Sequence, residues 1–268
     1  MGEKTPPAID ASHIYCCAEG EAGTVDIVSD VSLTVSRGEF ISIVGPSGCG
    51  KTTFLNVIAG VDRPTRGTIL VNGGRPEPTP RRVSYMFARD ALLPWRTAFE
   101  NVALPLELLG VLPQVRRRRV EELLNMVGLS GLGGRYRAEL SQGMRQRVAL
   151  ARVLAAKPEL LVMDEPFAAL DAQTRVVMQT VLLEVLAAEV STVVFVTHDL
   201  EEAILLSDRV VLFSRRPCRV RAVVPIPFNR PRDISQLRVE ASFHELYAQL
   251  WEPLRAEVED LWSETPQC

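Results

Sequence analysis

Hydrophobic residues recur along this chain in two rhythms, and the changes between them outline its parts. Residues 9–15 and 31–35 alternate apolar and polar positions, as half-buried strands do. The polar, glycine-containing stretch 17–23 between them reads as a hairpin loop, and residues 1–8 as a disordered lead. Phe40-Ile41-Ser42-Ile43-Val44 is a nearly continuous apolar run, the mark of a buried strand. A helix is predicted over 52–59, with Gly60 as its stop. Short strands follow at 68–71, closed by Asn72-Gly73-Gly74, and at 83–87. From Arg89 to about Leu154 the period becomes helical, over 100–109 and 116–127 and then in a helix opened by Ser141 as N-cap. Strands at 160–163, 192–196 and 209–213 then alternate with helices at 172–188 and 200–206.

Continuous apolar strands alternating with helices predict a parallel sheet covered on both faces. The expected fold is therefore α/β, with a parallel-sheet core, an N-terminal antiparallel β subdomain and an inserted α-helical subdomain at about 89–154. Pro217, Pro225, Pro227 and Pro231 break up the chain that follows. A last helical stretch, 243–258, puts Phe243, Leu246, Tyr247, Leu250 and Trp251 on one face, which either packs on the core or meets a partner.

Ligands of such sheets sit at the carboxyl ends of the strands. Three predicted strands deliver polar groups there. After strand 40–44 comes Gly45-Pro46-Ser47-Gly48-Cys49-Gly50-Lys51-Thr52, the G-x-x-x-x-G-K-[ST] pattern of a phosphate-binding P-loop, running into Thr53. Glycines let backbone N–H groups turn inward onto phosphate oxygens, and the helix N-terminus adds positive potential. Lys51 is placed to reach the β- and γ-phosphates, and the Thr52 hydroxyl to hold Mg²⁺. Asp164 ends the second strand, placed for the Mg²⁺ shell, with Glu165 beside it to polarise an attacking water. His198 ends the third, to contact a γ-phosphate or help position that water. Two further residues stay open on sequence alone. Tyr15, at the end of the first predicted strand, either stacks on a base or caps a small sheet. Asp171 is either a helix N-cap or an organiser of the water.

Composition narrows the picture. With 268 residues and 47% hydrophobic content the chain can bury a large core, and a net charge of −3 gives no basic signal for nucleic acid. Arg116 to Arg119 form a local basic run, but Val120, Leu123, Leu124 and Val127 follow at helical spacing, so the run reads as the solvated face of a helix. The five cysteines, an odd number without a C-x-x-C pair, argue against a disulfide framework or zinc site and suit a reducing cytosol. Neither a signal peptide nor a membrane-spanning run is expected.

Taken together, the motifs resemble those of the ATP-binding subunits of ABC transporters, from about residue 9 to 213. Residues 45–52 are similar to the family's Walker A, and Leu161-Val162-Met163-Asp164-Glu165 to its Walker B with the catalytic glutamate. Ala169-Leu170-Asp171 resembles the D-loop and His198 the switch histidine, while Tyr15 sits where the base-stacking aromatic lies. Leu140-Ser141-Gln142-Gly143-Met144 resembles the family signature, the most specific of these elements. The resemblance implies a cassette over 9–230 with a helical tail at 231–268, binding ATP and Mg²⁺. It also implies a head-to-tail dimer with a second copy or a paralogous cassette. Each ATP would lie between Walker A of one copy and Ser141, Gln142 and Gly143 of the other. Leu92-Leu93-Pro94-Trp95-Arg96-Thr97, Met144-Arg145-Gln146-Arg147 and Asp164-Glu165-Pro166-Phe167 look most like the importers of nitrate, taurine and alkanesulfonates. Those use an integral-membrane permease and an extracytoplasmic solute-binding protein, which places the subunit peripherally on the cytoplasmic face of the inner membrane. The apolar loop 92–95 would either receive a permease helix or pack within its subdomain.

This chain departs from the family pattern twice. Gln142 replaces the usual signature glycine, and Ala88, in Phe87-Ala88-Arg89, replaces a glutamine that touches Mg²⁺ and the attacking water. An ATPase driving import is the expected function; a cassette that dimerises with little or no turnover is the alternative that these departures motivate. A soluble cassette on ribosomes or DNA, another P-loop class such as a kinase, and an exporter fit less well.

Overall fold

A computed structural model describes residues 6–20, 23–188 and 192–263. In chain order these form strands β1 (Ile9–Gly20), β2 (Gly23–Val35) and β3 (Phe40–Val44), helix α1 (Lys51–Ala59), and strands β4 (Arg66–Val71) and β5 (Val83–Met86). Helices α2 (Ala98–Leu108), α3 (Pro113–Met126) and α4 (Gln142–Ala155) follow, with a 3₁₀ turn at Arg137–Glu139 before α4. The chain continues with β6 (Leu160–Asp164), α5 (Ala172–Ala188), β7 (Thr192–Thr197), α6 (Leu200–Leu206), β8 (Arg209–Phe213) and β9 (Val220–Pro225), and ends with α7 (Ile234–Leu237) and α8 (Ala241–Ser263). These elements group into two compact units, Met1–Glu77 with Thr192–Cys268, and Pro78–Ser191.

In the first unit β3 lies between β7 and β8, parallel to both, and β9 closes the edge antiparallel to β8. Every residue of β3 and β7 is buried, which explains their nearly continuous apolar runs. A separate antiparallel sheet of order β2-β1-β4 is the expected β subdomain. In the second unit β5 and β6 pair in parallel, and α2, α3 and α4 supply the helical part. The α/β class, the parallel core and the antiparallel subdomain are as the sequence predicts.

Several local expectations need correction. β1 and β2 pair as far as Gly20 and Gly23, so residues 17–20 are ladder rather than loop. Their outer half is solvent-exposed, and main-chain bonds hold strands there without an apolar alternation to reveal them. Tyr15 therefore lies within a strand, not at its end. Of the expected lead, residues 1–5 fall outside the described residues, while Ala8 is fully buried and its N–H bonds to Val35 O at 2.8 Å. β9 lies in the proline-rich stretch read as broken; it is an edge strand with Pro225 at its last position, where the missing donor costs no interior ladder bond.

Helix ends follow local chemistry. Gly60 stops α1 in the left-handed conformation, φ 74°, and a Cβ there would stand 2.8 Å from Pro76 O. Thr97 and Glu100 form a capping box for α2, and Ser141 caps α4 by accepting from Met144 N at 3.3 Å. The Arg run lies on α3, where Arg117 pairs with Glu121 and Arg118 with Glu122 one turn on, while Val120, Leu123 and Leu124 are buried. On α8, Phe243, Leu246 and Leu250 are buried, Tyr247 is half-buried and Trp251 is exposed, so the apolar face is narrower than its five predicted members. Buried Glu257 fixes the far end of this helix to the turn after β8 and to β9, accepting from Arg215 N at 2.9 Å and Arg221 Nε at 2.7 Å. Leu250→Ala should therefore cost about 3 kcal/mol of stability and Trp251→Ala only about 1 kcal/mol. Denaturant unfolding checks this, and equal costs would contradict the packing of α8.

Candidate functional site

The first unit builds a phosphate cradle. The chain leaves β3 at Gly45, turns through Pro46, Ser47, Gly48, Cys49 and Gly50, and enters α1 at Lys51. The loop backbone is packed from beneath. A Cβ on Gly45 would meet Phe213 O at 2.9 Å, and one on Gly50 would meet Ile27 Cγ2 at 2.9 Å and Cys218 Sγ at 3.3 Å. Gly50, at φ 124°, is also the N-cap of α1, with no side-chain bond to that cap and no acidic residue in the first turn. The positive end of α1 thus carries no built-in counter-charge. Lys51 is buried, its ammonium donating to Gly45 O at 2.7 Å and Pro46 O at 2.9 Å. This holds a cation over the loop and leaves one of its three protons for an anion. Thr52 is exposed and Thr53 half-buried. Such a cradle fits a phosphate chain.

His198 belongs to the same unit. Val44 pairs with Thr197, so Gly45 and His198 leave adjacent parallel strands at one level. His198 is exposed between two anchored neighbours. Thr197 Oγ1 donates to buried Glu202 at 2.7 Å, and Asp199 caps α6 by accepting from Glu201 N at 2.8 Å and Glu202 N at 3.3 Å. Tyr15, half-buried in β1, pairs with Arg66 across the antiparallel sheet.

The second unit carries the carboxylates. Met86 pairs with Met163, so Ala88 and Glu165 each lie two residues beyond one rung of the β5–β6 ladder. Asp164 is the last residue of β6, and Glu165 after it holds a left-handed backbone at φ 46°, unusual for a side chain of its size. The turn is held from behind, since Gln146 Nε2 on α4 donates to Pro166 O and Phe167 is fully buried. Ser141 and Gln142 are exposed at the start of α4, with Gly143 half-buried behind them. A Cβ on Gly143 would stand 2.9 Å from Thr174 Cγ2, so only glycine lets α4 approach α5 there. Asp171 accepts from Thr174 N at 2.9 Å and Thr174 Oγ1 at 2.7 Å, the geometry of an N-cap for α5. These bonds draw its carboxyl below the ordinary value, with the Thr174 amide the main cause. Asp164 and Thr52 are hard oxygen donors of the kind Mg²⁺ takes.

Sequence reasoning missed the polar network of the loop after β5. Buried Asn101 on α2 accepts from Leu93 N at 2.8 Å and donates to the carbonyls of Leu93, Arg96 and Thr97. Asp90 is paired with Arg137 and Arg145. Neither residue repeats with a helical or strand period, and the ion-pair partners are 47 and 55 residues away, so no local signal marks them. In the loop itself Leu92 is buried and Trp95 is 71% exposed. The thiols are structural in chemistry. Cys16, Cys17, Cys49 and Cys218 are free, and burial pushes Cys218 up to about 12 and Cys16 up to about 11.

These features define a P-loop nucleotide-binding protein with a Ser141-capped helix before the strand that ends in Asp164. A family described as ABC transporter matches residues 28–168. An aliphatic sulfonates import ATP-binding protein of Rhodococcus jostii is 47% identical over 82% of this chain and 85% of its own length. A bicarbonate transport ATP-binding protein of Synechococcus elongatus is 40% identical over 88% and 85%. A dimeric ATP-binding cassette in a post-hydrolysis state bound to ADP and Pi superposes with a TM-score of 0.72 at 29% identity, over 82% of this chain and 100% of its own. The chain belongs to the ABC transporter ATP-binding family and is an ATPase of that class.

The two loop glycines separate two costs. Gly48→Ala, at φ 74° in open space, should cost about 1 kcal/mol of stability from its left-handed backbone alone. Gly50→Ala adds the clash with Ile27 and should cost about 3 kcal/mol. Parallel denaturant titrations measure both; equal losses would contradict the packing under the loop.

Proposed function

We propose that this chain is the ATP-hydrolysing subunit of an importer for nitrate-, sulfonate- and taurine-type solutes, driving a separate membrane permease. The observation that carries the reading is the cradle itself, a P-loop with a buried lysine over an uncapped helix N-terminus, in a chain whose relatives are named for import. Sulfonate and bicarbonate relatives support the solute class. The dimeric neighbour supports pairing of two cassettes around ATP, with Ser141, Gln142 and Gly143 of one copy facing the nucleotide held by the other. Among the described residues no helix is long and apolar enough to cross a membrane, which suits a subunit that docks peripherally on its permease, with the solute-binding protein on the far side.

In this reading Tyr15 stacks on the base, and the amides of residues 45–53 and the Lys51 ammonium bind the phosphates. Thr52 and Asp164 would hold Mg²⁺, which supplies charge neutralisation on the phosphates when bound. Glu165 takes a proton from the water that attacks the γ-phosphorus, His198 steadies the γ-phosphate, and ADP leaves with the bridging oxygen. Asp171 orders the dimer-facing turn through its bonds to Thr174. The exposed Trp95 loop receives the permease.

Glu165→Gln should lower ATP turnover by about 100-fold or more while leaving nucleotide affinity intact, and Lys51→Ala should weaken affinity itself. Steady-state hydrolysis beside nucleotide titration checks both; a Glu165→Gln variant that turns over like the native chain would sink the assignment, and a native chain without turnover would favour the binding-only cassette. Ala88→Gln tests the missing side chain, and should shift the Mg²⁺ dependence of hydrolysis to lower concentration. Superimposable Mg²⁺ curves would remove Ala88 as a determinant.

A further inference from the structure

The segment 141–143 is held on both sides by one carboxylate. Arg137, before it, donates Nε and Nη2 to Asp90 at 2.9 and 3.2 Å. Arg145, after it, donates Nε to Asp90 at 3.0 Å and Nη1 to Leu140 O at 2.8 Å, gripping the carbonyl that directly precedes Ser141. The Asp90 side chain is 10% exposed, so the carboxylate is largely withdrawn from water, while Arg137 and Arg145 cover it from outside. Burial alone would raise its carboxyl, yet the bonds from Arg137, the Leu92 amide and Arg145 outweigh that and hold it below the ordinary value, ionised near neutrality. The backbone beside it is also fastened to α4. Arg152 donates to Ala91 O at 2.8 Å and to Asp90 O at 3.1 Å, across a turn in which Ala91 sits at φ 45°. Asn101 fixes the other end of the loop. A displacement of the exposed Trp95 loop therefore has few soft joints before it reaches the start of α4.

From this bracket we infer that Asp90 is a positioning residue for ATP hydrolysis, setting the segment 141–143 through Arg137 and Arg145. The inference rests on the reading that this segment faces a nucleotide. It gives the loop after β5 a mechanical hold on the signature that Ala88, with no polar side chain, does not supply. The mechanism is geometric. Ser141 and the amides after it must point at one place, and a guanidinium fork on each flank, sharing one anion, removes the freedom of the turn to pivot. Removing the anion leaves two forks without a common partner and frees that pivot. The phosphate cradle belongs to the other compact unit and keeps its own bonds.

The test uses the full chain with Asp90→Asn, Asp90→Glu and Arg137→Gln. Asp90→Asn should lower kcat about tenfold with KM for ATP within about twofold, and Asp90→Glu should regain most of the loss. Arg137→Gln removes one arm only and should lower kcat about threefold; it serves if Asp90→Asn does not fold. Amide hydrogen exchange supplies a readout independent of turnover. In Asp90→Asn, or in Arg137→Gln to a lesser degree, the Met144 and Arg145 amides should exchange about tenfold faster while those of Leu55 and Val57 in α1 stay as they are. Native exchange at Met144 and Arg145 overturns the clamp, as does native kcat in Asp90→Asn. So does a rise in exchange spread evenly over both units, which marks a merely structural role. A native chain that hydrolyses no ATP overturns the ATPase reading instead, and the exchange comparison then decides whether the clamp exists.

Discussion

Everything at the phosphate end of this protein depends on one steric constraint: the loop 45–50 runs over ground already taken by Phe213, Ile27 and Cys218. Glycine at Gly45 and Gly50 lets the backbone descend that far, and Gly50 in its left-handed conformation starts α1. Lys51 follows from the same geometry. Being the first residue of α1, it folds back over the loop it has just left and satisfies two of its carbonyls. A side chain on either glycine would lift the loop, lengthen those bonds and tilt the helix terminus. Charge and shape at this site are thus consequences of close packing beneath it.

The second unit solves a similar problem with side chains. Glu165 occupies a left-handed backbone conformation without being glycine, and that strain persists because Gln146 ties down Pro166 and Phe167 is anchored in the core. Gln146 stands one residue after Arg145 on α4, so the helix that begins with the signature also braces the turn of the candidate base. α4 serves both tasks from neighbouring positions, and its approach to α5 depends on Gly143 lacking a Cβ where Thr174 stands. A disturbance of α4 would be felt at both places.

What could be read in advance follows from how each feature is encoded. The central strands announced themselves because both faces of β3 and β7 are buried and most of their positions are apolar. The P-loop and the pair Asp164 with Glu165 stood out as candidates because that pattern has fixed types at fixed local spacing, and Ser141 with Gly143 through the family resemblance. The outer half of the β1–β2 hairpin was not, since it is exposed and paired through backbone groups that every residue carries. β9 was hidden by Pro225 and the prolines that follow it, although an edge strand tolerates proline at its last position. Trp251 matched the helical period of its neighbours yet is exposed, because a period reports direction rather than distance to a partner.

Asp90 marks the limit of this kind of reading. A carboxylate in a loop is ordinarily solvated, and nothing beside it announces two arginines from positions 137 and 145. The fold brings them together because α4 starts where the loop after β5 passes, and burial then makes the pairing matter most for the carboxylate: with Asp90 largely withdrawn from water, a lone carboxylate would be costly, whereas Arg137 keeps one side open to solvent. An exposed ion pair could be lost without consequence. This one could not, because the same guanidinium that satisfies Asp90 also holds Leu140 O, the last carbonyl before the signature. Stability of the loop and orientation of the signature are therefore one requirement, met by one carboxylate.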